Sequence, residues 1–85
     1  MPPVTIYTTP YCSYCLRAKN LLTRKGVTFE EIDVSESSAL RDAMIKRSGG
    51  CYTVPQIFVG ARHVGGSDEL HALDAKGDLD PLLQS

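Results

Sequence analysis

The sequence lacks the features that would direct it to a membrane, to nucleic acid or to the outside of the cell. No apolar run approaches the roughly 20 residues that a membrane helix needs. The opening Met1-Pro2-Pro3 leads directly into Val4-Thr5-Ile6-Tyr7, without the basic start and apolar stretch of a signal peptide. Neither sign of charge is in surplus: nine Lys and Arg stand against ten Asp and Glu, a net charge of −1. That balance gives no broad basic field, which argues against nucleic acid or an anionic membrane as partner. Cysteine is scarce and odd in number, at three residues, too few for a disulfide-stapled secreted scaffold. Internal repeats, low-complexity tracts and linkers are also missing. The expectation is one cytoplasmic domain over residues 1–85, with cysteines that are catalytic or metal-binding rather than structural.

What is there alternates between strand-like and helix-like segments. Val4 to Thr8 is a short β-branched and aromatic run stopped by Pro10, the pattern of a buried strand. From Ser13 to Lys25, Cys15, Ala18 and Leu22 recur at helical spacing, Leu21 widens the stripe and Gly26 marks the stop. Val27 to Val34 reads as a second strand whose alternation breaks, implying a bulge or an early end. Ser35 to Ser38 offers caps for a second helix with the stripe Leu40, Ala43 and Met44, ended by Ser48-Gly49-Gly50. Gln56 to Val59 and Arg62 to Val64 flank Gly60-Ala61, a hairpin signal. Ser67 is the expected N-cap of a third helix closed by Lys76-Gly77. A last turn is expected from Asp80-Pro81, with Leu82 and Leu83 docking on the core. Strands joined through a helix run parallel and a hairpin runs antiparallel, so the β-α-β-α-β-β-α order predicts an α/β fold. Its mixed four-stranded sheet is flanked by helices on both faces.

The informative motif is Cys12-Ser13-Tyr14-Cys15, placed between a strand and the first turn of a helix. The reactive form of cysteine is the thiolate, and free N–H groups with the helix dipole favour negative charge there. Cys12 at the mouth of the helix suits a nucleophile, and Cys15, about one turn inside, suits a shielded resolving thiol. Lys19, about two turns past Cys12, is either electrostatic support or a solvated surface lysine, and Tyr14 either shapes the rim or is simply half-buried. Zinc needs four ligands; the remaining Cys51, His63 and His71 are scattered and form no second knuckle, which disfavours zinc.

Three ordered motifs carry a resemblance to the glutaredoxin family, and within it to the short bacterial dithiol type. They are Tyr7 to Cys15 with its C-x-Y-C centre, Thr53-Val54-Pro55-Gln56-Ile57-Phe58, and Gly65-Gly66-Ser67-Asp68-Glu69-Leu70. Ala72-Leu73-Asp74-Ala75 and Leu79-Asp80-Pro81-Leu82-Leu83 extend the likeness. It implies a thioredoxin fold and a glutathione-dependent oxidoreductase that reduces protein disulfides and glutathione mixed disulfides. It also implies a cis bond before Pro55, and a glutathione site on Tyr14, Thr53, Val54, Pro55, Gly66, Ser67 and Asp68. There Val54 would pair its backbone with the tripeptide, and the helix start with Asp68 would hold the γ-glutamyl end. For Gly66-Ser67-Asp68 a plain helix cap is the simpler reading, and both can hold together.

The chain departs from such relatives at Ser13, where proline is common, at Thr9, where a lysine is common, and at Ser67 in place of cysteine. The loop Gly49-Gly50-Cys51-Tyr52 is longer by one residue, and Arg41 is a candidate to replace the missing lysine. A loosened turn at Ser13 keeps a second role open: a [2Fe–2S] carrier or sensor with Cys12 and glutathione as iron ligands across two chains. Otherwise glutathione acts as reductant, no tightly bound cofactor is expected, and the chain is a monomer unless bridged by a cluster or through Cys51. Cys51 reads either as an idle thiol or as a regulatory one.

Overall fold

The computed structural model describes residues 2–84. Its elements are β1 (Val4–Thr8), α1 (Ser13–Arg24), β2 (Phe29–Asp33), α2 (Ser38–Arg47), β3 (Gln56–Val59), β4 (Arg62–Gly65), α3 (Ser67–Ala75) and α4 (Leu79–Gln84). The strands form one sheet in the order β2-β1-β3-β4. β1 runs parallel to β2 and antiparallel to β3, and β3 runs antiparallel to β4. This is the expected mixed sheet with helices on both faces, the thioredoxin fold. The expected final turn is the short helix α4, which starts one residue earlier, at Leu79.

β1 is buried along its whole length because it is central and covered on both faces. Strand alternation sends its residues into two separate cores. Val4 and Ile6, with Ile57 and Val59 of β3, pack against Ala18, Leu21 and Leu22 of α1, Leu70 of α3, and Leu79 and Leu83 of α4. Each fully buried leucine of this set contributes roughly 1.5–3 kcal/mol. Leu82 packs on the rim of the same cluster, as its sequence position suggested. Lys25, just past α1, bridges Asp74 of α3 at 2.6 Å and Asp80 of α4 at 3.1 Å, pinning three helix ends together.

The opposite face is thinner. Tyr7, Val34, Met44 and Phe58 form a small second core covered by α2 alone. Here the expected helix stripe is corrected: Leu40 and Ala43 are exposed, and Met44 and Ile45 make the contact. The helix touches the sheet mainly through its last turn, where Arg47 completes the cover. Its guanidinium lies 4.2 Å from the Phe58 ring centre and donates to the Tyr7 hydroxyl and the Gly60 carbonyl.

β2 is shorter than the sequence pattern suggested. It pairs with β1 in unbroken register from Phe29 to Asp33, so it holds no bulge. Val27 precedes it and enters the large core, whereas Val34 follows it and enters the small one. Their opposite phases therefore reflect two flanking segments rather than a distorted strand. The sheet's irregularity lies instead between Ile57 and Phe58, opposite β4. No helix among the described residues is long and apolar enough to cross a membrane.

Candidate active site

The chain reaches α1 through Tyr11, which has a φ of 61° and a fully exposed side chain. That left-handed turn is uncommon for a bulky residue. It delivers Cys12 in extended conformation (φ −103°, ψ 111°) at the N-cap of α1. Ser, Thr, Asp or Asn usually caps a helix through a side-chain oxygen. Here the acceptor is sulfur: the Cys15 N–H donates to Cys12 Sγ at 3.1 Å. No acidic residue competes in the first turn. Cys12 is half-buried while Cys15 is 1% exposed, and both are free thiols. Burial, with the hydrogen bond to Cys12 adding to it, pushes the Cys15 thiol up to about 12. The two sulfurs thus differ in access, and the buried one holds its proton tightly, as a resolving thiol should.

A hollow of about 560 Å³ opens beside the pair, lined by Thr8, Pro10, Tyr11, Cys12, Cys15 and Leu16 among others. Lys19 and Glu31 also line it, and they are joined at 2.9 Å. Lys19 is therefore ion-paired rather than freely solvated. The ammonium, followed by the Thr8 hydroxyl donating at 2.8 Å, holds the Glu31 carboxyl below its ordinary range.

A second hollow of about 190 Å³ is lined by Tyr14, Thr53, Val54, Pro55, Gln56, Gly66, Ser67, Asp68 and Glu69. The seven residues expected to hold glutathione are thus gathered from α1, the loop before β3 and the start of α3. The Val54–Pro55 bond is cis, as the resemblance implied. Tyr14 is about half-exposed on the rim.

The cap of α3 is corrected from Ser67 to Gly66, with Ser67 buried as the first helical residue. Glycine brings no capping side chain, so Glu69 folds back and accepts from the Gly66 N–H at 2.7 Å. This is possible because Gly65, at φ +120°, has no Cβ; one placed there would lie 2.9 Å from Glu69 Cγ. Nothing among the described residues accepts from the Ser67 or Asp68 N–H.

Sequence reasoning took Gln56 only as a strand and motif residue and weighed His63 only as a stray zinc ligand, so it missed that the two are bonded. Gln56 is 3% exposed, and its amide nitrogen donates to the Thr53 carbonyl at 3.0 Å. The amide oxygen therefore faces His63, which donates from Nε2 at 2.6 Å while its ring lies along Phe58. The signal was a glutamine in an otherwise apolar strand: a buried amide has to spend its hydrogen bonds nearby, here on the loop carrying Val54 and Pro55. Arg41 donates to the Tyr52 carbonyl at 3.1 Å, on the approach to that loop. Cys51 lies outside both hollows. Among the described residues no group of three or more His, Cys, Asp or Glu is placed to hold a metal ion.

With this geometry in hand, similarity to known proteins is informative. The Glutaredoxin family model matches residues 4–64. Glutaredoxin 3 of Escherichia coli (strain K12) is 57% identical over 84 residues, covering 99% of this chain and 100% of that protein. The solution structure of glutaredoxin from Brucella melitensis superposes with a TM-score of 0.85 at 57% identity, covering 98% of this chain and 89% of that one. A crystal structure of a buckwheat glutaredoxin–glutathione complex superposes with a TM-score of 0.87 at 31% identity, covering 98% and 77%.

Proposed function

The chain belongs to the glutaredoxin family and is a glutathione-dependent thiol–disulfide oxidoreductase; on that premise we propose that Cys12 attacks, Cys15 resolves and the α1–α3 hollow holds glutathione. The carrying observation is the sulfur cap: Cys12 Sγ accepts the Cys15 N–H at the positive end of α1, where negative charge on sulfur is favoured.

With a protein disulfide, Cys12 thiolate attacks one substrate sulfur and expels the other as thiolate, leaving a mixed disulfide. Cys15 then gives up its proton and attacks Cys12 Sγ. The intramolecular disulfide closes and the second substrate thiol departs. Two glutathione molecules return the two electrons and leave as glutathione disulfide. With a glutathionylated protein, Cys12 attacks the glutathione sulfur and the protein thiol leaves. A second glutathione then releases Cys12 without Cys15. In the hollow, Val54 backbone would pair with the tripeptide, and the free N–H groups of Ser67 and Asp68 would take its γ-glutamyl carboxylate. Asp68 would take the ammonium. Thr53, Pro55, Tyr14 and Gly66 complete the walls. The buckwheat relative, solved with glutathione, supports this reading.

A single domain over 1–85, acting as a monomer in the reducing cytoplasm, suits three free cysteines. The test is a glutathione-coupled turnover assay. Cys12→Ser should lose about 10³-fold or more on every disulfide. Cys15→Ser should keep turnover of glutathione mixed disulfides while losing reduction of protein disulfides. Wild-type turnover by Cys12→Ser would overturn the assignment.

A further inference from the structure

The basic residues of the α1 region are sorted by face. Lys19 is paired with Glu31, and Lys25 with Asp74 and Asp80. Arg17 and Arg24 have no carboxylate within 4.0 Å among the described residues, and α1 itself carries no acid. Both arginines line one groove of about 430 Å³, with Asn20 between them and His71 of α3 opposite. His71 donates from Nδ1 to the Ser67 carbonyl at 2.8 Å, which commits that nitrogen and leaves Nε2 as the ring's remaining polar atom. The groove continues the glutathione hollow at two points. Arg17 sits 5.9 Å from the Tyr14 ring centre, and His71 is bonded to Ser67. On the far side of the cysteines the sign reverses, because edge strand β2 carries Glu30 and Asp33 on either side of Glu31, whose charge Lys19 already balances.

We propose that this groove docks an acidic segment of the protein whose disulfide or mixed disulfide reaches Cys12, and so orients that substrate on the site. The inference rests on the redox function above. Charge complementarity selects the occupant: in a chain of net charge −1, two guanidiniums with no carboxylate partner share one groove, which meets the Tyr14 rim of the site through Arg17. A guanidinium also matches a carboxylate through two parallel hydrogen bonds. The spacing narrows it further. Along α1, Arg17 and Arg24 lie about 7 and 18 Å beyond Cys12. An extended chain covers those distances in roughly two and five residues. Acidic side chains at those positions from the substrate cysteine would meet the two arginines in turn. The acidic β2 edge would repel a segment docked in the opposite sense.

The experiment uses short peptides carrying one glutathionylated cysteine. Asp or Glu stands two and five residues away, on either side in separate peptides, against Asn or Gln controls. A small neutral mixed disulfide is assayed in parallel. For the wild type, kcat/KM should favour the acidic peptide about fivefold at low salt, with the preference vanishing at high salt. Arg17→Ser with Arg24→Ser should abolish that preference, and Arg17→Glu with Arg24→Glu should reverse it. Turnover of the small disulfide should stay unchanged in every variant, which separates failure of this docking from failure of the redox assignment. The proposal is overturned if the wild type shows no preference, if the preference survives in the double variants, or if a single-stranded oligonucleotide competes as well as the acidic peptide.

Discussion

The starts of α1 and α3 use the same physical resource in opposite ways. Both leave first-turn N–H groups and the positive end of a helix dipole facing the site. At α1 the chain supplies its own acceptor, Cys12 Sγ, and contributes no carboxylate. At α3 the cap is Gly66, with no side chain to give. Glu69 satisfies only the N–H preceding the helix, so those of Ser67 and Asp68 remain available. On the proposed function, one helix start would hold a charge that belongs to the protein, and the other would receive a charge carried in by a ligand. An enzyme that joins its own sulfur to a foreign thiol needs both, and the choice turns on which residue occupies the cap.

The most damaging way to break this contrast is Gly65→Ala. The new Cβ meets Glu69 in a backbone conformation that favours glycine. Unfolding in urea should show a loss of about 2–3 kcal/mol, with a raised KM for glutathione. Alkylation of Cys12 should proceed at the wild-type rate, since α1 is untouched; a parallel fall would mean that the two starts are one unit.

A smaller effect sharpens the α1 side. The folded protein holds the Cys15 proton up to about 12, whereas the unfolded chain releases it from 9.0. The folded state thus binds more protons across that window, and the reduced protein loses stability as pH rises through it. The loss is at most about 1.4 kcal/mol per pH unit. Urea titrations at pH 8 and pH 10 should show this slope in the wild type and its removal in Cys15→Ser. The smallest effect belongs to α3. Asp68→Asn should raise the KM for glutathione about fivefold with kcat unchanged, read from steady-state kinetics at saturating disulfide.

Much of this was legible in advance where one residue type answers to one constraint. β1, the α1 stripe and the hairpin around Gly60 follow from periodicity and turn chemistry. Cys12 and Cys15 followed from their place at a strand–helix junction. Legibility failed where two surfaces compete for a segment. Leu40 and Ala43 fit a helical stripe, yet α2 meets the sheet only near Met44, Ile45 and Arg47, so they stay in solvent. Val27 and Val34 looked like one irregular strand because each serves a different core. Gly66 replaced Ser67 as cap because Glu69, three residues on, supplies the acceptor by folding back. The Gln56–His63 pair was invisible because its partners come from separate strands and a loop.

The lopsided cover of the sheet has a dynamic consequence. The face under α1, α3 and α4 is sealed by three helices, whereas α2 rests on Met44, Ile45 and one guanidinium. Elements with few apolar contacts open at a fraction of the global unfolding free energy. Of the two faces, the α2 side should therefore open at the lower cost, and with it would go the Arg41 hold on the Tyr52 carbonyl. Such an excursion would slacken one wall of the proposed tripeptide cradle while leaving the sulfur cap shut. Ligand residence and thiol reactivity can thus be tuned by separate sets of mutations.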